Sequence, residues 1–155
     1  MSTATDSAQQ AADPAFGALV PVEVHFDDLD SFGMLHNARY GVLTERAWIS
    51  YWQGHGIAFD ADWGQMEDGF NVVKEVRITF DRPITRPGRY AVRLRVEHLG
   101  TTSLTYGFDV CDPQAGVSYA RGSRTVVRLD PGTRRPAPWS DRARALAERL
   151  RELAA

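Results

Sequence analysis

Apolar and polar residues alternate from Ala18 to Phe26. Val20, Val22, Val24 and Phe26 share one face, and that period of two predicts a strand. From Asn37 to Gly54 the spacing changes. Tyr40, Leu43, Ala47, Trp48, Tyr51 and Trp52 recur at helical intervals, and Val42 and Ile49 widen the apolar arc. The width predicts a long helix enclosed on most sides, stopped by Gly54 and Gly56. Gly41 inside it points to close approach of another backbone. Residues 57–71 carry no clear period and read as a loop covering a pocket. The period of two then returns in four runs, 72–80, 90–97, 104–110 and 117–129. They are separated by Pro83, Pro87 and Gly88, by Leu99-Gly100-Thr101-Thr102, and by Asp112-Pro113-Gln114-Ala115-Gly116. Pro131 and Gly132 end the last run. Ser140 and Asp141 open a second amphipathic helix with Ala143, Leu146, Ala147, Leu150 and Leu153 on its apolar face.

The order of one strand, one enclosed helix, four strands and a last helix predicts an α+β domain. An antiparallel sheet of about five strands is expected to wrap around one long central helix. Residues 18–130 form this domain, 1–17 read as a flexible tail, and 131–155 as a C-terminal extension with its own helix. Tyr119, Thr125 and Val127 on a long final strand are expected to offer an edge to a second subunit.

Composition narrows the function classes. The 155 residues carry a formal charge of −2, which opposes a phosphate-driven nucleic-acid binder. No apolar run approaches a membrane span, and no secretory leader is visible. Cys111 is the sole cysteine, so an intrachain disulfide and a multi-cysteine metal site are excluded, and a reducing, cytoplasmic setting is expected. His25, His55 and His98 do not cluster with acids at ligand spacing, so no metal is expected. Serine-hydrolase, P-loop, zincin and dinucleotide-binding signatures are missing.

The chemistry concentrates in 26–40, where Asp27, Asp28, Asp30, Gly33, His36 and Asn37 join the first strand to the helix. A carboxylate beside free helix N–H groups places a reactive acid next to a site for developing negative charge. One ionised carboxylate and one dipolar donor suffice for an electrophilic carbonyl with a good leaving group. Asp28 is expected to bond backbone at the turn. Asn37 is expected at the helix start, as cap or as amide donor.

Phe26, Asp28-Leu29-Asp30, Gly33 and Asn37-Ala38-Arg39-Tyr40 together resemble the hotdog-fold acyl-CoA thioesterases, in the branch typified by 4-hydroxybenzoyl-CoA thioesterase. Glu45-Arg46-Ala47 and Leu99–Leu104 extend the resemblance, which covers roughly residues 20–130. It implies a hotdog fold and hydrolysis of an acyl thioester of coenzyme A or an acyl carrier protein, with no cofactor. Asp30 would be the nucleophile or general base, and the Asn37 amide would polarise the carbonyl. Sites would lie at subunit interfaces of a homodimer or homotetramer. Gly33, His36, Tyr40, Glu45, Trp63 and Phe70 are the expected substrate-binding residues. Relatives often carry a cation before the third strand of the four-strand run, where this chain has Gly100-Thr101-Thr102. Arg121, Arg124, Arg134 and Arg135 are the substitutes for binding phosphates. A hotdog dehydratase or hydratase using Asp30 with His36, and a non-catalytic acyl-thioester-binding module, are the alternatives.

Overall fold

The computed structural model describes residues 12–13 and 17–153. Of the flexible tail expected over 1–17, residues 1–11 and 14–16 lie outside the described residues, while 12–13 and Gly17 belong to strands. The elements are β1 (Ala12–Asp13), β2 (Gly17–Val24), α1 (Asn37–Gly54), β3 (Asn71–Phe80), β4 (Gly88–Leu99), β5 (Ser103–Cys111), β6 (Ser118–Arg128) and α2 (Asp141–Leu153). Short 3-10 turns occupy Phe26–Asp28 and Trp63–Gln65. The five long strands and two-residue β1 form one antiparallel sheet in the order β1-β2-β4-β5-β6-β3. This is the α+β hotdog arrangement, with the sheet curled around α1.

The alternating patterns decide which face is covered. Val92, Leu94 and Val96 of β4 and Leu104, Tyr106, Phe108 and Val110 of β5 are buried against the helices. Trp48 of α1 stacks on Tyr106 at 3.9 Å between ring centroids. α2 packs on the same face over β4 and β2, and its Ala143, Ala147 and Leu150 share one core with α1. Ser140 caps α2, its Oγ accepting from the Ala143 amide at 3.1 Å. The opposite face carries Arg93, Arg95 and Asp109, with Arg93 and Asp109 paired at 2.9 Å.

Three expectations change. First, β6 is not an edge. It lies between β5 and β3, and β3 is the open edge, because the strand after α1 crosses over to the far side of the sheet. Ten residues long, β3 has both faces largely exposed, with Val72, Val76 and Phe80 47–49% accessible. Second, no backbone approaches Gly41. A Cβ there would meet nothing within 4 Å, and the Arg124 guanidinium reaches the Gly41 carbonyl instead, at 3.4 Å. Third, β2 ends at Val24, so Phe26 leaves the apolar face and is 82% exposed.

Cys111 is buried, and its thiol lies against the Ala91 carbonyl. Burial pushes the thiol up to about 11, although Arg93 pulls the other way. The native chain therefore binds this proton more tightly than the unfolded chain does, so its stability falls as pH rises past the free-thiol value toward 11. At pH 8 the folded protein is expected to resist iodoacetamide, while the urea-unfolded chain alkylates within minutes; mass spectrometry reads the difference.

Candidate functional site

The chain leaves β2 through the turn at Phe26–Asp28 and makes a miniature hairpin before α1, with Leu29 and Leu35 bridged. Asp28 organises the entry. It is buried, its Oδ2 accepts from the His25 amide at 2.8 Å, and its Oδ1 lies 3.6 Å from Arg39 Nε on α1. That is the backbone role expected for it.

Asp30 sits in the hairpin tip. Its amide donates to the Met34 carbonyl at 2.8 Å, and its carbonyl accepts from Gly33 at 3.0 Å. Oδ1 accepts from the Phe32 amide at 2.8 Å and the Met34 amide at 3.3 Å. Among the described residues Oδ2 has no partner. Gly33 closes the tip at φ 74, in the left-handed region. Space there is open, so the dihedral alone calls for glycine.

The helix start differs from the expectation for Asn37. His36 is the N-cap, its Nδ1 accepting from the Ala38 amide at 3.1 Å. A ring that accepts at Nδ1 is neutral and carries its proton on Nε2. The Arg39 amide is satisfied by the His36 carbonyl at 2.8 Å. That leaves the Asn37 amide, at the first helical position, without a partner among the described residues. Replacing His36 with Ala removes the side-chain acceptor and is expected to cost about 1 kcal/mol of stability by urea unfolding, with Asn restoring most of it.

A second chain segment supplies the facing wall. The Leu35 amide donates to the Ile84 carbonyl at 2.8 Å, and both residues are buried. This bond pins the hairpin to the segment that follows β3. Between the two lies a cleft of about 410 Å³ lined by Asp30, Met34, His36, Asn37, Tyr40 and Phe80, among others. Tyr40 and Phe80 meet edge to face at 5.1 Å. Burial raises the Tyr40 hydroxyl above the ordinary phenol range, against a hydrogen bond from the Ile84 main chain.

The structure thus brings Asp30, His36, Asn37 and Tyr40 to one cleft, with Gly33 shaping the turn beneath Asp30. It does not bring Glu45 or Phe70 there. Glu45 points away to Arg124 at 3.3 Å, which also removes Arg124 from the set of free phosphate-binding cations. Phe70 precedes β3 at the end opposite Phe80, roughly 30 Å away along a ten-residue strand. Trp63 begins a 3-10 turn in the same 57–70 loop, and its side chain lies outside the described residues. That loop borders a second, nearly closed cavity lined by Trp48, Trp52, Phe59, Leu104 and Trp139. Asp30 and His36 make no mutual bond, so the dyad of the dehydratase alternative is not formed.

Phe80, Asp81, Arg82 and Pro83 complete the cleft and were not legible as site residues. The available signal was Phe80-Asp81-Arg82-Pro83 itself, where an alternating run ends abruptly in two charges and a proline. Among the described residues, no group of three or more His, Cys, Asp or Glu side chains is placed to hold a metal ion. No described helix is long and apolar enough to cross a membrane.

Comparison with known proteins places this geometry. A family model described as the thioesterase-like superfamily matches residues 24–149. A thioesterase from Thermus thermophilus, solved with coenzyme A and zinc, is 34% identical. It aligns with 90% of this chain and 96% of its own, at a TM-score of 0.70. A protein of Pseudomonas aeruginosa superimposes at a TM-score of 0.79 with 21% identity, covering 88% of this chain and 93% of its own. A DHNA-CoA thioesterase from Staphylococcus aureus shares 17% identity at a TM-score of 0.67, covering 77% and 78%. The last two speak to the fold alone. No curated protein matches the chain.

Proposed function

The chain belongs to the thioesterase-like superfamily, and from that membership we propose that it hydrolyses an acyl-CoA thioester to a free acid and a thiol. The observation that carries the proposal is the convergence of Asp30 and the unpartnered Asn37 amide on one cleft. The free Oδ2 of Asp30 serves as nucleophile or general base. The Asn37 N–H, reinforced by the helix dipole, receives the carbonyl oxygen as negative charge builds on it. A carbon–oxygen bond forms at the acyl carbon, the carbon–sulfur bond breaks, and the departing thiolate takes up the proton released from water. The His36 Nε2–H and the Tyr40–Phe80 pair line the substrate's path. Asp28-Leu29-Asp30, Gly33, Asn37 and Tyr40 support a reading in the 4-hydroxybenzoyl-CoA thioesterase-like branch. The coenzyme A held by the Thermus thermophilus relative supports that thiol carrier. A cytoplasmic setting accompanies this reading, in keeping with the single buried cysteine.

The working unit in this reading is a homodimer joined through β3. An unpaired ten-residue edge strand with exposed apolar side chains is a template for pairing. A two-fold axis beside it pairs the strand with itself, antiparallel. The Phe80 end of one copy then meets the Asn71 end of the other. The second copy's 57–70 loop, with Trp63 and Phe70, is thereby carried toward the first copy's cleft. These residues act as substrate contacts across the interface.

The test is thiol release from a panel of short, branched, aromatic and long acyl-CoA thioesters, with solution mass measured by light scattering. Turnover of at least one thioester by a species of twice 17.3 kDa is expected. Absence of thiol release from every member would overturn the hydrolase, and a monomer active at full rate would overturn the interface.

A further inference from the structure

The cleft contains a charge that thioester cleavage by Asp30 and the Asn37 amide does not use. Resting on the thioester reading above, we propose that Arg82 selects the acyl group by receiving a carboxylate borne on it. The preferred substrates are then monothioesters of dicarboxylic acids.

Arg82 is fixed in the main chain and free in the side chain. Its amide donates to the Tyr119 carbonyl at 3.0 Å, and Pro83 and the fully buried Ile84 follow it. Its guanidinium makes no ion pair or hydrogen bond among the described residues. The other charges at the cleft are both anionic. Asp81 is held by Arg121 at 3.1 Å, and Asp30 gives Oδ1 to its own turn. Arg82 is therefore the uncompensated cation of a cleft whose lining also includes Met34, Leu35, Tyr40, Phe80 and Pro83. A planar fork of N–H donors matches a carboxylate, which it grips with two parallel hydrogen bonds. It also offsets the repulsion that Asp30 would exert on an incoming anion.

Scale decides which end of the substrate supplies the anion. Asp30 and Arg82 both line one cleft of about 410 Å³. In an extended pantetheine arm the nearest phosphate lies roughly 15 Å from the thioester carbon, at ordinary bond lengths. The far carboxylate of a five-carbon diacid lies only about 5 Å from that carbon. The acid end therefore stays near the reacting carbon in the cleft that Asp30 and Arg82 share, whereas the phosphate lies about three times farther out.

The experiment compares glutaryl-CoA with pentanoyl-CoA, which match in length and differ by the carboxylate. The corresponding pantetheine thioesters, which lack phosphate, form a second pair. The intact chain is expected to favour glutaryl over pentanoyl by about tenfold or more in kcat/KM in both pairs. Arg82→Met is expected to bring that ratio near one, and Arg82→Lys to retain part of it. An unchanged ratio in Arg82→Met would overturn the proposal. So would a loss on both acyl groups that vanishes in the pantetheine pair, which would assign Arg82 to phosphate. Calorimetric Kd values for thioether analogues of the two CoA substrates, which cannot be hydrolysed, read the same preference without turnover. Failure of hydrolysis would thus count against the thioesterase reading alone, while the Kd ratio still decides the role of Arg82.

Discussion

Asp30→Asn is expected to lower kcat by about a thousandfold or more, close to 4 kcal/mol of transition-state stabilisation, while the protein stays folded. The two oxygens of Asp30 have separate duties. Oδ1 accepts from the Phe32 and Met34 amides and holds the hairpin tip, and an asparagine carbonyl in the same place accepts both bonds. Oδ2 has no such duty, and the amide nitrogen that replaces it is neither a base nor a nucleophile. Asp30→Ala removes both functions and is expected to lose stability as well as activity. Thiol release with thermal unfolding by circular dichroism on the two variants separates chemistry from structure. Full turnover by the Asn variant would rule out the mechanism.

Gly122→Ala is expected to destabilise the fold by about 3 kcal/mol and to damage the site from a distance. Gly122 lies on β6 opposite Ile78 of β3 and Phe108 of β5. A Cβ there would fall 1.9 Å from the Arg77 carbonyl oxygen and 2.9 Å from the Phe108 ring. The oxygen belongs to the main chain and cannot rotate away, so β3 itself has to move. Among the described residues β6 is the only neighbour of β3 within the sheet, and β3 ends at Phe80, next to Asp81 and Arg82 of the cleft wall. Urea unfolding and hydrogen exchange of the β3 amides check this. An unchanged midpoint with unchanged β3 protection would refute it.

The parts of the molecule legible in the sequence are those whose neighbours are close along the chain. The Asn37–Gly54 helix and the alternation of β4 and β5 follow from periods within single segments. The turn role of Asp28 at the strand-to-helix junction was legible too, whereas the miniature hairpin around Asp30 was not. What escaped depends on strands meeting across the sheet. No local pattern distinguishes β6, flanked on both sides, from β3, flanked on one, since both alternate and both are long. The wall formed by Phe80–Pro83 escaped for the same reason: contacts distant in sequence, the Leu35–Ile84 bond and the Tyr40–Phe80 pair, bring it to the cleft. His36 displaced Asn37 as cap because an imidazole acceptor one residue earlier reached the Ala38 amide first, which left the Asn37 amide unoccupied.

That Leu35–Ile84 bond also bears on how the chain matures. The hairpin tip closes within a few residues and can form early. Its facing wall has to be delivered by β3, which waits for β6, the last strand of the sheet to be synthesised. Contacts of such long sequence separation carry the largest loop-closure entropy and form late. A nascent or partly refolded chain is therefore expected to hold Asp30 without a cleft around it, and the cleft to be completed as the closing event of folding.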